Sequence, residues 1–112
     1  MAVYDTDKEN AAMKIIPGSH KIKTYRHNQN DNKNYLLNKE VASKYIKGKK
    51  IIYMDLKAGE ISLHSDALLH GSDENKSSRP RCGIVLRYSP SDVKVKLSEW
   101  PFFSVQHVRG VD

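Results

Sequence analysis

The stretch "KKIIYMDLKAGEISLH", residues 49–64, decides the fold class. Its first part sets Ile51, Ile52, Tyr53, Met54 and Leu56 in one short apolar run. Its last part alternates Ile61, Ser62, Leu63 and His64. β-Branched and aromatic residues suit a pleated, half-buried surface, and glycine supplies the backbone freedom of a turn. The stretch therefore reads as two strands joined at Ala58-Gly59.

Towards the N-terminus, "NKEVASKYIKG" (38–48) reads as a short helix, with Asn38 as cap and Gly48 as stop. "KTYRHNQNDNKN" (23–34) reads as a polar, Asn-rich loop, with His27 solvated. "AVYDTDKENAAMKIIPGSH" (2–20) reads as strand, polar turn and strand, ended by Pro17-Gly18. Towards the C-terminus, "CGIVLRYSP" (82–90) is a strand closed by Ser89-Pro90, and "FFSVQHV" (102–108) a last strand that carries His107. Short strands with Gly and Pro between them and little helix indicate an all-β sandwich or barrel. One domain over 1–112 is expected. The chain starts inside strand-like "MAVY" and stops after another such run, which reads as a cut at both ends.

Composition narrows the classes. The chain has 112 residues, 38% of them apolar, which suits one small, fairly polar globular domain. Lys and Arg exceed Asp and Glu by 19 to 13. The lysines are scattered and lack a nucleic-acid-binding motif, so a nucleic-acid partner rests on net charge alone. Single Cys82 excludes an internal disulfide and reads as a packed side chain in a reducing, cytoplasmic setting. No apolar run approaches a membrane span. Asp5, Asp7 and Glu9 form a polar turn that lacks the spacing and glycine pivot of a calcium loop. Trp100, Phe102 and Phe103 are expected to pack locally around Pro101.

"ENAAMKIIPGSHK" (9–21), "LKAGEISLHSDALLHGSDENKSS" (56–78) and "RPRCGIVLRYSP" (79–90), in this order and spacing, resemble the phytanoyl-CoA dioxygenase family. "VRGVD" (108–112) adds to the likeness. The resemblance implies a double-stranded β-helix of the jelly-roll or cupin-like type, here partial, with a short helix or long loop inserted. It also implies Fe(II) as cofactor and 2-oxoglutarate as cosubstrate, and admits ascorbate as a reductant. Such a site holds iron with two histidines and one carboxylate and leaves the other positions open. The far carboxylate of 2-oxoglutarate calls for an arginine, whose fork matches it bidentately.

By this resemblance His70, in "LLHGS", is the distal iron ligand. Arg81, eleven residues on, grips the cosubstrate, and Ser72 adds a hydroxyl to the same carboxylate. Arg79 and Arg87 compete with Arg81: Arg79 precedes a proline, and Arg87 lies well along the strand. His20, in "PGSHK", is expected to fix the turn after "MKII". The remaining ligands, a His-x-Asp or His-x-Glu pair, belong on a strand before "AVYDTDKEN". They are expected to be missing, which makes the chain an incomplete β-helix without its N-terminal strands. His64 and Asp66 in "HSD" are the substitutes available, since residues two apart on a strand share a face. Joining them to His70 requires a sharp turn at Ala67-Leu68-Leu69.

The leading expectation is a hydroxylase of a small-molecule substrate, present as the part bearing the distal histidine and the cosubstrate arginine. The Lys- and Asn-rich segment from Lys21 to Lys50 would shape its substrate entrance. A related non-haem iron halogenase is the alternative within the same chemistry. An inactive, truncated β-domain serving as a binding or oligomerisation module is the alternative outside it. Exposed strand edges would favour a homo-oligomer that covers them.

Overall fold

The computed structural model describes residues 1–22, 25–29 and 39–110. Among these residues five short strands carry the fold: β1 (Lys14–Ile15), β2 (His27–Gln29), β3 (Lys39–Val41), β4 (Ile52–Tyr53) and β5 (His70–Gly71). They form two antiparallel sheets, one in the order β4-β1-β5 and one pairing β2 with β3. Single 3₁₀ turns at Ser19–Lys21 and Ser43–Tyr45 are the helical elements of the described residues. The chain is β-rich, as expected.

The partners of the strands differ from the sequence reading. The run 49–64 does not fold on itself as a hairpin. Glu60 N–H donates to Lys57 O at 2.9 Å, with Gly59 at φ 88° in the third turn position. Positive φ there is the signature of a type II turn. Its twist splays flanking strands, whereas hairpins favour the mirror-image turns. The apolar run is therefore free to pair elsewhere. Ile52–Tyr53 joins β1, Met54 N–H donates to Met13 O at 2.8 Å, and Thr6 bridges Leu56. The turn itself receives the N-terminus: Ala2 N–H donates to Glu60 O at 2.9 Å, and Gly59 N–H to Ala2 O at 2.8 Å.

The expected helix over 38–48 is also replaced. Asn38 lies outside the described residues. Lys39–Val41 pairs with His27–Gln29, so His27 stands on a strand rather than in a loop. Only the one 3₁₀ turn at Ser43–Tyr45 is helical, and Gly48, at φ 73°, ends the turns that follow it. Pairing with β2 satisfies backbone groups that a helix would have satisfied internally. The edge-to-face contact of Tyr25 and Tyr45, with ring centroids 5.0 Å apart, adds to this choice.

The expected strands at 82–90 and 102–108 do not form among the described residues. Gly83 makes one bridge to Ala2, and Ile84 exchanges hydrogen bonds with Met1. Beyond Ile84 the backbone closes only local turns, such as Val93 to Pro90 and Phe103 to Trp100. Cys82 is exposed rather than packed, and Phe102 is 97% exposed rather than buried around Pro101.

The core is correspondingly small. Among the described residues Ala2, Ala11 and Ala12 are its buried apolar residues, with Asn10 and Ser19 as buried polar ones. Total accessible surface is 10119 Å², against about 6,300 Å² for a compact monomer of this mass. The radius of gyration is 16.4 Å, against about 13 Å for a compact domain of this length. Among the described residues no helix is long and apolar enough to cross a membrane.

Candidate functional site

The site is built around β5, and β1 holds β5 in place. His70 lies opposite Ile15, and Gly71 opposite Lys14. Ile16 N–H donates to Leu69 O at 3.0 Å, which extends the pairing by one step. The chain then reverses at Pro17-Gly18, with Gly18 at φ 77° and Ser19 N–H donating to Ile16 O at 3.2 Å. Proline sets the second turn position and glycine accepts the positive φ of the third. The turn delivers Ser19 into the interior, where its Oγ accepts the Leu69 N–H at 2.8 Å. The Tyr25 hydroxyl donates to Ser19 O on the other side. Ser19, and not His20, is thus what anchors "PGSH" to "LLHGS". His20 is exposed.

His70 is exposed at the end of this frame. Its Nδ1 lies 2.8 Å from Leu68 O. A carbonyl can only accept, so in the neutral ring Nδ1 bears the proton and Nε2 keeps its lone pair. A backbone carbonyl on one ring nitrogen is the usual way to orient a histidine that ligates through the other. The chain before His70 turns at Ser65, where Leu68 N–H donates to Ser65 O at 3.0 Å and Ala67 N–H to Ser65 Oγ at 3.2 Å. This turn, two residues earlier than the sequence required, folds His64 back towards His70. Their ring centroids stand 5.3 Å apart at an interplanar angle of 57°. Asp66 does not join them; its Oδ1 accepts from Ser65 Oγ at 3.3 Å.

A full iron site is not assembled. Among the described residues no three His, Cys, Asp or Glu side chains lie together in a way that could hold a metal ion. The chemistry of His70 fits one ligand of such a site, but the set as a whole does not fit.

The arginines separate clearly. Arg79 is already engaged, its Nη2 donating to Asp7 Oδ1 at 2.9 Å and Oδ2 at 2.8 Å, with Glu9 at 3.5 Å. Its hydrogen bond holds the Asp7 carboxyl below the usual range. Arg81 is exposed and makes no hydrogen bond or ion pair with the described residues. Its backbone is nonetheless held on both sides: Pro80 O accepts from Asn10 Nδ2 at 3.5 Å, and Cys82 O from Val3 N–H at 3.0 Å. Arg87 and Ser72 are exposed.

Two groups that support the site went unnoticed in the sequence. Asn10, fully buried, ties the loop Asp5–Ala11 together: its Oδ1 accepts from Asp7 N–H at 2.8 Å and its Nδ2 donates to Asp5 O at 2.9 Å. The reciprocal bond from Asn10 N–H to Asp7 Oδ1 marks a D-x-x-N capping pattern that was there to be read. The second group crosses the three-stranded sheet. Asp73, just past β5, accepts from Lys14 on β1 and from the Tyr53 hydroxyl on β4 at 2.8 Å. The Lys14 bond, then the Tyr53 bond, lowers the Asp73 pKa, and Asp73 raises that of Tyr53. These bonds hold the segment just past β5, where Ser72 lies, to β1 and β4.

No curated protein and no solved structure matches the chain. The family model for phytanoyl-CoA dioxygenase (PhyH) matches residues 1–83, which take in His64, Asp66, His70, Ser72 and Arg81. With three quarters of its length under that match, the chain belongs to the phytanoyl-CoA dioxygenase family, whose oxygenases use Fe(II) and 2-oxoglutarate.

Proposed function

We propose that this chain contributes part of the active site of an Fe(II)- and 2-oxoglutarate-dependent hydroxylase acting on a small molecule. Iron and 2-oxoglutarate, when bound, supply the oxidising chemistry. In this reading His70 offers Nε2 to the iron, while Arg81 and Ser72 take the far carboxylate of 2-oxoglutarate. The observation that carries the reading is the contrast between two neighbouring arginines. Arg79 is consumed by Asp7 and Glu9, whereas Arg81 presents an uncommitted guanidinium on a held backbone. A free, rigidly based guanidinium eleven residues beyond a histidine in a fixed tautomer suits carboxylate capture beside a metal.

The remaining iron ligands come from another stretch of polypeptide, and the fold is one portion of a double-stranded β-helix. Support comes from apolar side chains in water where a closed barrel would cover them, among them Leu63, Val85, Leu86 and Val108. The test is 2-oxoglutarate binding, followed by saturation-transfer NMR on the chain with and without Fe(II). Binding that is lost in Arg81→Ala and kept in Arg79→Ala is the expected result. Equal loss in both variants, or none in either, would sink the assignment of Arg81.

The same exposed surface supports a second reading, a non-catalytic β-module that binds or oligomerises. It predicts Fe(II)-independent self-association and no conversion of 2-oxoglutarate to succinate under any metal loading.

A further inference from the structure

We infer that His64 and His70 together form a two-histidine seat for a divalent transition-metal ion of the zinc type, within this chain alone. This is distinct from the iron set of the proposed hydroxylase, which uses His70 without His64, and it does not rest on that reading. Three observations carry it. The turn at Ser65 brings the two exposed imidazoles together, with centroids 5.3 Å apart and the ring planes inclined at 57°. Two imidazoles bound to one tetrahedral ion through bonds of about 2.0–2.1 Å have their centroids roughly 5 Å apart. The observed centroid spacing of 5.3 Å matches what such a chelate requires.

The second observation is the tautomer. Leu68 O holds the His70 proton at Nδ1 and leaves Nε2 as donor to a metal. The third is that the His64 ring makes no hydrogen bond with the described residues, so its lone pair is uncommitted. Asp66, the neighbouring carboxylate, is turned to Ser65 Oγ and stays outside the seat. The ion would keep two open positions for water or for a ligand brought by another molecule. Imidazole donors favour zinc over magnesium or calcium, which take oxygen ligands in larger shells.

Calorimetric titration of the whole chain with zinc chloride near neutral pH tests this, read beside long-range ¹H–¹⁵N imidazole spectra. The expected result is a single ion per chain, with the His64 and His70 ring nitrogens shifted. Affinity should fall about tenfold or more in His64→Ala and in His64→Gln. It should be unchanged in Asp66→Asn, Arg81→Ala and His107→Ala. His64 is exposed, so its variants are expected to keep the parent's amide spectrum, and that spectrum is the control. An undiminished affinity in both His64 variants, or shifts confined to His20, His27 or His107, overturns the proposal. Arg81→Ala separates the two readings. It abolishes 2-oxoglutarate binding if the hydroxylase assignment holds, and it leaves zinc binding intact in either case.

Discussion

Residues 1–22 and residues 85–110 carry comparable apolar content but fare differently in water. In the first, backbone groups find partners far away in sequence: Ala2 with Glu60, Val3 with Cys82, Thr6 with Leu56, Ile16 with Leu69. In the second, backbone hydrogen bonds span at most four residues, and Val85, Leu86, Tyr88 and Val105 stand exposed. The family match ends at Gly83, near the boundary between the two. The difference shows that apolar patterning alone does not make a strand. A strand needs a neighbour with free N–H and C=O groups in register, and an apolar face needs another face to cover it. The N-terminal region has both in the segments 52–60 and 68–84. The C-terminal region has neither among the described residues.

The comparison breaks most readily at Asn10. Its side chain supplies the bonds that hold the loop at Asp5 and Asp7 and reaches Pro80. Asn10→Ala leaves these part-buried groups without their partners, at a cost of about 2–3 kcal/mol. Urea unfolding followed by amide exchange should show residues 2–12 losing protection down to the level of residues 85–110. If their protection stays high, the loop is held by its backbone pairing and not by Asn10. Ser19→Ala comes next, at about 1–2 kcal/mol, because Leu69 N–H loses its buried acceptor. This variant should also weaken zinc binding, since the same bond fixes the frame behind His70. Unchanged zinc affinity would show that β5 is positioned by β1 alone.

How far the molecule was legible follows from the same contrast. "PGSH" could be read as a turn because proline and glycine act locally, and the structure has that turn. "ENAAMKIIPGSHK" and "LLHGS" could be tied to the phytanoyl-CoA dioxygenase family by their order and spacing, and the family match covers both. Partner choice could not be read. Ala58-Gly59 was correctly a turn, but its type II geometry sends Ile52–Tyr53 to β1 instead of to Ile61–His64. Lys39–Val41 has helix-compatible residues, yet it pairs with His27–Gln29, since tertiary pairing overrides a weak local preference. In "PGSH" histidine carries more chemistry on paper than serine. The buried hydroxyl was the residue that mattered, and burial is not visible in a single sequence.

The three-stranded sheet offers a smaller test through pH. Lys14 and Tyr53 stabilise the charged form of Asp73, so its folded pKa lies below its ordinary value of 3.8. The folded state then binds fewer protons than the unfolded one between those two values. Stability from this group is fully present above 3.8 and is lost as pH falls through the folded pKa. Acid titration of the β1–β5 amides should show this loss in the parent and not in Asp73→Asn. An identical acid limb in both would mean that the pairing does not couple to folding. At the other end of the comparison, Val85→Ser, Leu86→Ser and Tyr88→Ser should each change unfolding free energy by less than about 0.5 kcal/mol. They should reduce self-association or dye binding instead. A loss of several kcal/mol would show that these side chains are packed after all.

The finest probe is Ala11, where two opposed terms meet. Ala12 N–H donates to Asp7 O at 2.8 Å and Ala11 N–H to Lys8 O at 3.4 Å. This is the paired bonding of a Schellman motif, which sets Ala11 in the left-handed position, at φ 68°. Glycine there would relieve about 1–2 kcal/mol of contact between Cβ and the backbone. It would also give up a buried methyl, worth about 0.8 kcal/mol, and add about 0.5–1 kcal/mol of chain entropy to the unfolded state. Ala11 is 4% exposed, so the burial term applies almost in full. The terms offset, and Ala11→Gly should leave the unfolding midpoint in urea nearly where it was. A clear gain would mean that strain dominates and that the small core contributes little. A clear loss would mean that even one methyl matters in a core made of Ala2, Ala11 and Ala12, and that the N-terminal region rests on packing as much as on its hydrogen bonds.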